Sequence, residues 1–341
     1  MGVRAAQYSG EHRIVVNEVE PQAPGRGEVQ IRVAYTGICG TDLHVLHGSM
    51  DSRVDIPQAI GHEMSGTIEA VGEGVTSVAP GDNVTVMPLD WCGECPACKA
   101  GNAHICQKLN FVGIDSPGSL QELWTVREDL VVPLPAGLSL EHAALVEPLA
   151  VACHDVSRSR LAAGETAVII GGGPIGQLIA RVAAETGAVV YVIEPNAERR
   201  ALAERLGART IDPVSSDAVA IIDEATGSAG ADVVFEVAGV AVTALTAVDY
   251  AKVRGRVVLV AIHPNPVPMN LHRVFWRELE LIGARVYERA DFERAVELLA
   301  AGAVPADELI TSVVGLSETQ SAFDQLSGAA AMKILVNVQE G

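Results

Sequence analysis

Residues 166–176 read TAVIIGGGPIG, in which a short apolar run passes into three glycines, a proline, an isoleucine and a further glycine. The apolar run has the length of a buried strand, and the proline suits the first turn of a helix. Gly171, Gly173 and Gly176 form the pattern G-x-G-x-x-G, which permits a tight turn and close approach of the backbone to a phosphate. The stretch therefore predicts a strand, a phosphate-binding turn and a helix in succession.

The residues after this turn predict that the phosphate belongs to a dinucleotide. Pro174 and Ile175 open the predicted helix, and the strand that follows the helix ends at Glu194. A carboxylate about 20 residues beyond the glycines accepts hydrogen bonds from the adenosine ribose. The same carboxylate repels a 2′-phosphate, so the sequence favours NAD over NADP. Arg199 on the next helix is a candidate contact to the adenosine end.

Strands and helices keep alternating around this motif from residue 149 to residue 286. Further apolar strands are predicted at 232–237, at 256–260 and around 279–286. Such alternation is typical of a parallel, doubly wound sheet. The sequence thus predicts one α/β domain over residues 149–286.

The residues before 149 have a different pattern. Short alternating runs at 13–16, 29–33, 66–71 and 83–86 are separated by proline and glycine turns, which predicts a β-rich domain. The carboxyl-terminal part adds a predicted helix and two predicted strands, at 291–301, 312–314 and 334–338.

Four cysteines lie close together in the β-rich part. Cys92, Cys95, Cys98 and Cys106 have the spacing C-x2-C-x2-C-x7-C. Four thiolates in a turn-rich loop can form a closed tetrahedral zinc site, which performs no chemistry itself. An iron–sulfur cluster also takes four thiolates, and a pair of disulfides is a third arrangement. We favour structural zinc, because cysteines two residues apart bridge poorly and nothing marks secretion.

Composition excludes some classes of partner. The chain has 341 residues, enough for about two domains, and a net charge of −19 at pH 7. An acidic chain is a poor ligand for nucleic acids and for anionic membranes. No apolar run reaches the roughly 20 residues of a membrane span, and the amino terminus lacks the apolar segment of a signal peptide. We therefore expect a soluble cytoplasmic protein with reduced thiols.

A second, open metal site is predicted in the β-rich part. Cys39, His62 and Glu147 are of the residue types that bind zinc, and a site with fewer than four protein ligands keeps room for water or substrate. These residues are too far apart in sequence to form a local motif. Taken alone, Cys39 is equally well a small core residue.

A family resemblance decides between these alternatives. The run 61–75 contains GHE-x-x-G-x5-G-x-x-V, and residues 39–42 read CGTD. Together with the four-cysteine lobe and the later glycine motif, in this order, they resemble the zinc-containing medium-chain alcohol dehydrogenases over nearly the whole chain. Glu147, followed by proline, is similar to the polyol (sorbitol-like) and threonine dehydrogenase branch.

The resemblance implies a fold of two domains. A GroES-like, β-rich catalytic domain covers residues 1–148 and 287–341 and carries the structural zinc lobe at about 90–107. A Rossmann domain that binds NAD covers residues 149–286. Relatives form dimers or tetramers, and this branch implies a homotetramer.

The resemblance also implies roles for individual residues. The catalytic zinc ligands are Cys39 and His62, with two glutamates as alternates, Glu63 and Glu147. Thr41 takes the substrate proton and His44 passes it onward. With the four-cysteine lobe, each chain then holds two zinc ions.

The implied reaction is oxidation of a secondary alcohol to the ketone, with hydride transfer to NAD. A polyol, sugar alcohol or diol is the first substrate class, and Asp90, Asp115 and Arg285 are candidate polar contacts to it. An L-threonine 3-dehydrogenase-like or aminocyclitol dehydrogenase activity is the alternative. A non-catalytic zinc-binding module is a hypothesis of a different class.

Overall fold

In a computed structural model, residues 2–263, 265–328 and 331–340 are described. They divide into a first unit, Met1–Glu147 with Glu288–Gly341, and a second unit, Pro148–Tyr287. Within the described residues, no helix combines the length and the apolar character needed to cross a membrane.

The amino-terminal part of the first unit is mainly β-structure. Its strands are β1 (Val3–Tyr8), β2 (Ile14–Val19), β3 (Glu28–Gly37), β4 (Gln58–Ala59), β5 (Glu63–Val71), β6 (Asn83–Val86), β7 (Leu89–Asp90), β8 (Asn110–Phe111), β9 (Leu123–Arg127) and β10 (Val131–Pro133). Its helices are α1 (Gly40–Leu46), α2 (Pro96–Lys99) and α3 (Leu140–Ala143).

The second unit alternates strands and helices. Helix α4 (Val146–Ser159) leads into it, followed by β11 (Thr166–Ile170), α5 (Pro174–Glu185), β12 (Val189–Ile193), α6 (Ala197–Arg205), β13 (Arg209–Ile211), α7 (Ala218–Ala225), β14 (Ala231–Glu236), α8 (Ala241–Tyr250), β15 (Ala251–Leu259), α9 (Leu271–Trp276) and β16 (Glu280–Gly283). The chain then returns to the first unit through α10 (Arg289–Ala300), α11 (Ala306–Leu309), β17 (Ile310–Gly315), α12 (Thr319–Ser327) and β18 (Lys333–Asn337).

The largest sheet of the first unit combines strands from the amino-terminal part of the chain with the carboxyl-terminal strands β17 and β18. Its order is β10-β6-β5-β3-β18-β17, and β9 also pairs with β3. The carboxyl-terminal strand β18 thus lies directly beside β3. Buried aliphatic side chains such as Val29, Ile31, Ile334 and Val336 belong to one core on this sheet. Their burial is the main stabilising contribution to the unit.

The second unit contains the predicted parallel sheet. Its order is β13-β12-β11-β14-β15-β16, and every neighbouring pair is parallel. The chain reverses its direction of winding beside β11, which creates the crevice where ligands bind in such sheets. The last strand, β16, is shorter than the predicted run of 279–286. It ends at Gly283 because its partner strand ends at Leu259, opposite that glycine.

Candidate functional site

Cys39 occupies a fixed position between β3 and α1. It is the N-cap of α1, where the Thr41 amide donates to its Sγ at 3.1 Å. The Cys39 amide in turn donates to Oδ2 of Asp42 at 3.0 Å, which completes a capping box. Both bonds satisfy amides that a helix start leaves without partners. The cap therefore orients the thiol without help from a metal.

His62 directs one ring nitrogen at this thiol. Its Nε2 lies 3.2 Å from Cys39 Sγ, and its Nδ1 lies 3.5 Å from Oδ1 of the buried Asp42. Phe111 contacts the imidazole edge-on, with the ring centroids 5.0 Å apart. Burial lowers the pKa of His62, whereas Cys39, Asp42 and Glu147 raise it, and the net direction is well above the usual value. The surroundings are thus strongly negative and favour a cation.

Glu63 is held by a lysine from the other end of the chain. Lys333 Nζ lies 2.8 Å from Oε1 and 2.5 Å from Oε2 of Glu63, and it also donates to the Ile38 carbonyl at 3.2 Å. The sheet register explains the contact, because Gly37 on β3 pairs with Glu63 on β5 and with Leu335 on β18. A Cβ at Gly37 would lie 2.4 Å from Glu63 Oε2. Glycine at this position therefore leaves the space that the carboxylate occupies.

Cys39, His62 and Glu63 form a cluster whose ligand atoms all lie within 4.8 Å of one another. Thiolate, imidazole and carboxylate are the donor types that zinc prefers. The remote nitrogen of His62 faces a carboxylate, as is usual for metal-bound histidines, and both Asp42 Oδ1 and His62 Nδ1 are buried without a hydrogen bond. The residues present therefore fit a zinc ion.

Other predicted residues lie around this cluster. Glu147 is buried in the first turn of α4, outside the group of three, and its charge contributes to the raised pKa values of His62 and Lys333. Thr41 stands in the first turn of α1, and the His44 side chain is exposed one turn further on.

Three residues are predicted as polar contacts to the substrate. Asp90 and Asp115 form ion pairs, and Arg285 belongs to the second unit. Asp115 receives two hydrogen bonds of 2.8 Å from the Arg53 guanidinium. Asp90 lies against Arg127 and accepts from the Asn110 amide at 3.2 Å. Arg285 is exposed in the second unit. These contacts give each aspartate a structural role that the sequence pattern did not indicate.

The four-cysteine lobe has the geometry of a single-ion site. Neighbouring sulfurs are 3.5 Å apart for Cys95–Cys98, 3.8 Å for Cys95–Cys106 and 3.5 Å for Cys92–Cys106. A tetrahedron with zinc–sulfur bonds of about 2.3 Å has edges of about 3.8 Å. These four cysteines are not joined in disulfides, so the disulfide alternative is wrong. Sulfurs this close suit one ion better than a cluster of several irons.

Hydrogen bonds within the lobe make its thiols chemically unequal. The Cys98 amide donates to Cys95 Sγ at 3.5 Å, and backbone donors such as this one lower the pKa of Cys95 to about 6. Burial raises the pKa of Cys98 to about 12. The lobe therefore favours a thiolate at Cys95 over one at Cys98, and a bound metal ion would replace the remaining thiol protons.

The glycine motif of the second unit forms the predicted turn. Gly171 has φ +107°, and Gly173 is the N-cap of α5, with Pro174 at its first position and Ile175 following. A Cβ at Gly176 would lie 1.9 Å from the Gly171 carbonyl oxygen, so only glycine allows the helix to approach the turn. The amides at this helix start suit a phosphate.

Glu194 lies against the same turn. Its Oε2 accepts from the Gly172 amide at 2.7 Å, and its Oε1 accepts from the Asn196 amide at 2.8 Å. Arg199 lies in the first turn of α6, where its amide donates to Asn196 Oδ1 at 3.1 Å. The structure thus places the acidic residue, the glycines and Arg199 at one edge of the sheet.

Sequence reasoning missed two buried charged residues that contact the cluster of Cys39, His62 and Glu63. Asp42 follows Cys39 by three residues, which is the spacing of a capping box and was available as a signal. Lys333 begins a strand that is otherwise apolar, where a lysine needs a buried partner. Its partner is 270 residues away, so no local pattern could identify it.

Comparisons with known proteins agree with this geometry. Residues 25–136 match the alcohol dehydrogenase GroES-like domain, and residues 174–301 match the zinc-binding dehydrogenase domain. A 2-dehydro-3-deoxy-L-galactonate 5-dehydrogenase from Pseudoalteromonas atlantica is 54% identical, over 97% of this chain and 98% of that protein. A sorbitol dehydrogenase from Halalkalibacterium halodurans is 32% identical, over 97% of each.

A solved structure has the same fold over its full length. It is from Sinorhizobium meliloti 1021, described as a zinc-binding dehydrogenase bound to NADP, with a TM-score of 0.93, 33% identity and 99% coverage of both chains. Fold and site therefore define a zinc-type dehydrogenase with a GroES-like domain and a Rossmann-like sheet. The chain belongs to the zinc-dependent medium-chain alcohol dehydrogenases, among the polyol dehydrogenases. The predicted fold class and family are confirmed, and the chain is an oxidoreductase rather than a non-catalytic zinc module.

Proposed function

We propose that this enzyme oxidises a secondary alcohol of a sugar-derived, polyhydroxylated substrate to the ketone, with zinc and NAD. The observation that carries the proposal is the cluster of Cys39, His62 and Glu63, whose ligand atoms lie within 4.8 Å of one another. A set of three zinc donors, of which His62 and Glu63 are buried, leaves a position for an alcohol oxygen.

Cys39 and His62 would hold the catalytic zinc, with Glu63 or Glu147 as the alternate third ligand. When bound, zinc polarises the alcohol oxygen and NAD accepts the hydride. Lys333 binds Glu63 whenever that carboxylate is not a ligand, because it already contacts both oxygens. Lys333 would therefore leave the buried carboxylate with a positive partner whether or not it binds the metal.

The chain also provides a route for the substrate proton. Thr41 follows the metal-binding Cys39 by two residues, and its hydroxyl takes the proton from the alcohol. His44, exposed on the next turn of α1, would receive a proton through the nicotinamide ribose of bound NAD and release it to solvent. An imidazole side chain is suited to proton transfer near neutral pH.

NAD is the proposed cofactor, although the relative from Sinorhizobium meliloti binds NADP. The support is Glu194, which lies 2.7 Å from the Gly172 amide of the glycine turn. A carboxylate so close to the turn repels a 2′-phosphate. Gly171, Gly173, Pro174, Ile175 and Gly176 hold the pyrophosphate, and Arg199 contacts the adenosine end.

The four-cysteine lobe holds a second, structural zinc. Zinc–thiolate sites need reduced sulfur, and the six cysteines are thiols rather than disulfides, which supports a cytoplasmic location.

The substrate class follows from the relatives. A sugar acid is the substrate named for the relative from Pseudoalteromonas atlantica, and a polyol is named for the sorbitol dehydrogenase. We place 3-deoxy sugar acids and sugar alcohols first, before vicinal diols. L-Threonine and aminocyclitols remain the alternative.

Self-association is part of the proposal. The second unit exposes Phe275 (77%) and Trp276 (73%) on α9, next to the edge strand β16. The outer edge of β16 pairs with no strand in the described part of the chain, and an apolar patch beside such an edge suits pairing with a second copy around a two-fold axis. Two such dimers would give the proposed homotetramer.

The decisive experiment measures NADH formation by the zinc-loaded enzyme. The panel contains 3-deoxy sugar acids, sugar alcohols, vicinal diols, simple secondary alcohols, L-threonine and aminocyclitols. We expect one of the first two classes to respond strongly, Cys39→Ser to abolish the response and the buried Cys153→Ser to retain it. Activity that survives Cys39→Ser, or a response to L-threonine alone, would contradict the proposal.

A further inference from the structure

A buried carboxylate stands at the end of β14, far from either cysteine site in sequence. Glu236 is 0% exposed, and its Oε1 accepts from the Gly239 amide at 2.9 Å and from the Thr243 hydroxyl at 2.7 Å. Its Oε2 lies 3.1 Å from Nε2 of His263. An ionised carboxylate is costly to bury unless it is hydrogen-bonded, and these three donors satisfy it. One oxygen is thus fixed by α8 and its preceding loop, and the other orients a histidine.

The strand register places this pair beside the glycine turn. Ile170, the last residue before the turn, pairs with Ile193 on one side and with Glu236 on the other. Glu194 follows Ile193, so a buried carboxylate lies on each side of the turn. The amides of residues 260 and 261 both donate to the Glu236 carbonyl, at 3.0 and 3.1 Å. These bonds fix the loop that carries His263 to the same edge of the sheet.

The direction of the cofactor follows from this arrangement. In the proposed function the adenosine ribose binds at Glu194 and the pyrophosphate at the turn. A dinucleotide crosses the carboxyl edge of such a sheet at the point where the strand order reverses. Its second half therefore extends from β11 toward β14 and β15, where Glu236 and His263 lie. His263 is 15% exposed, which leaves part of the ring open to a ligand.

We propose that His263, oriented by Glu236, binds the nicotinamide nucleoside half of the dinucleotide. A carboxylate only accepts hydrogen bonds, so Glu236 fixes the ring proton on Nε2 and leaves Nδ1 as an acceptor. An acceptor at Nδ1 matches the amide N–H of the nicotinamide carboxamide or a hydroxyl of its ribose. This inference rests on the proposed dinucleotide site and assigns its second half.

Binding of NADH and of ADP separates the two halves of the cofactor. We expect His263→Ala to weaken NADH binding roughly 3- to 10-fold, the effect of one lost hydrogen bond, and to leave the dissociation constant of ADP unchanged. His263→Gln keeps an amide near the position of Nε2 and should be as weak as alanine. His263→Asn places an amide near the position of Nδ1 and should restore most of the affinity.

Thr243 tests the orienting role of Glu236. Thr243→Val removes a hydroxyl that donates to Glu236, and it should weaken NADH binding but not ADP binding. Thr246→Val is the matched control, because among the described residues that hydroxyl donates within α8, to the Val242 carbonyl at 2.9 Å. Since Thr243 acts through Glu236 and His263, combining Thr243→Val with His263→Ala should add no further loss.

The outcomes distinguish the inference from the function on which it rests. Unchanged NADH affinity in His263→Ala, or equal loss of NADH and ADP affinity, overturns the role of His263. If the wild-type enzyme binds neither NADH nor ADP, the dinucleotide site itself is wrong and the inference falls with it. Intact ADP binding with selective loss of NADH supports it.

Discussion

Lys333 contacts both carboxylate oxygens of Glu63, at 2.8 and 2.5 Å, across 270 residues of sequence. Both side chains are at most 5% exposed. Removing one partner of a buried ion pair leaves an uncompensated charge, which costs far more than the pair itself contributes. Through this contact, strand β18 contributes both to the stability of the protein and to the charge balance of the cluster of Cys39, His62 and Glu63.

Lys333→Met should lower the free energy of unfolding of the zinc-free protein by about 3–5 kcal/mol, because Glu63 then stays buried without a partner. Urea unfolding of chelator-treated protein measures this change. Zinc should stabilise the variant more than the wild type, because the ion supplies the missing positive charge.

Two further variants make this prediction specific. Lys333→Met combined with Glu63→Gln should recover most of the lost stability, since no buried charge remains. Lys108→Met removes an exposed lysine that pairs with Glu94 at 2.7 Å, and it should leave stability unchanged. A loss of stability confined to Lys108→Met, or none in Lys333→Met, would show that the pair of Lys333 and Glu63 does not stabilise the zinc-free protein.

Asp42→Asn should weaken zinc binding at the cluster of Cys39 and His62 by about 10- to 100-fold. Asp42 Oδ1 lies 3.5 Å from His62 Nδ1, and the charge favours the ring orientation that directs Nε2 at the metal. Competition with a chromogenic chelator measures the affinity of each zinc.

The control for this variant is Asp82→Asn. Asp82 also accepts from the amide three residues before it, that of Ala79, at 2.8 Å, but it is exposed. It should leave both zinc affinities unchanged. If Asp42→Asn weakened the four-cysteine site equally, a general loss of structure would be the explanation.

The predictability of the site from sequence depends on how local each part is. The glycine turn and the four-cysteine lobe are formed by neighbouring residues, so spacing and composition indicate them directly. The contact between Lys333 and Glu63 depends on the pairing of Gly37 with two strands, β5 and β18, that are far apart in sequence. Register over such distances is set by the packing of the whole sheet, and no window of sequence contains it.

Cys95→Ser should reduce the zinc content from two ions per chain to one. The remaining ion should stay at the cluster of Cys39 and His62, and the lobe should lose protection from proteolysis because its zinc is what orders it. Metal analysis after gel filtration gives the count. The buried Cys153→Ser should retain two ions; a count of two in Cys95→Ser would mean that three thiolates suffice.

Glu194→Gln should raise the ratio of NADP-linked to NAD-linked kcat/KM by about 10-fold or more. The substitution keeps the size of the side chain but removes the charge that repels a 2′-phosphate. Glu198→Gln, at an exposed position in the first turn of α6, is the control and should leave the ratio unchanged. An unaltered ratio in Glu194→Gln would show that cofactor choice is made elsewhere.

Replacing both Phe275 and Trp276 by lysine should convert the proposed oligomer into a smaller species. Each ring is more than 70% exposed. Burying this apolar surface in an interface would stabilise the contact by about 25 cal/mol per Å². Two lysines would bring like charges together across a two-fold axis, so that the contact repels. Sedimentation velocity measures the mass. Val214→Lys, at a residue that is 80% exposed outside this patch, should keep the wild-type mass. A monomeric wild type, or an unchanged mass in the double variant, would show that α9 and β16 do not form the contact between copies.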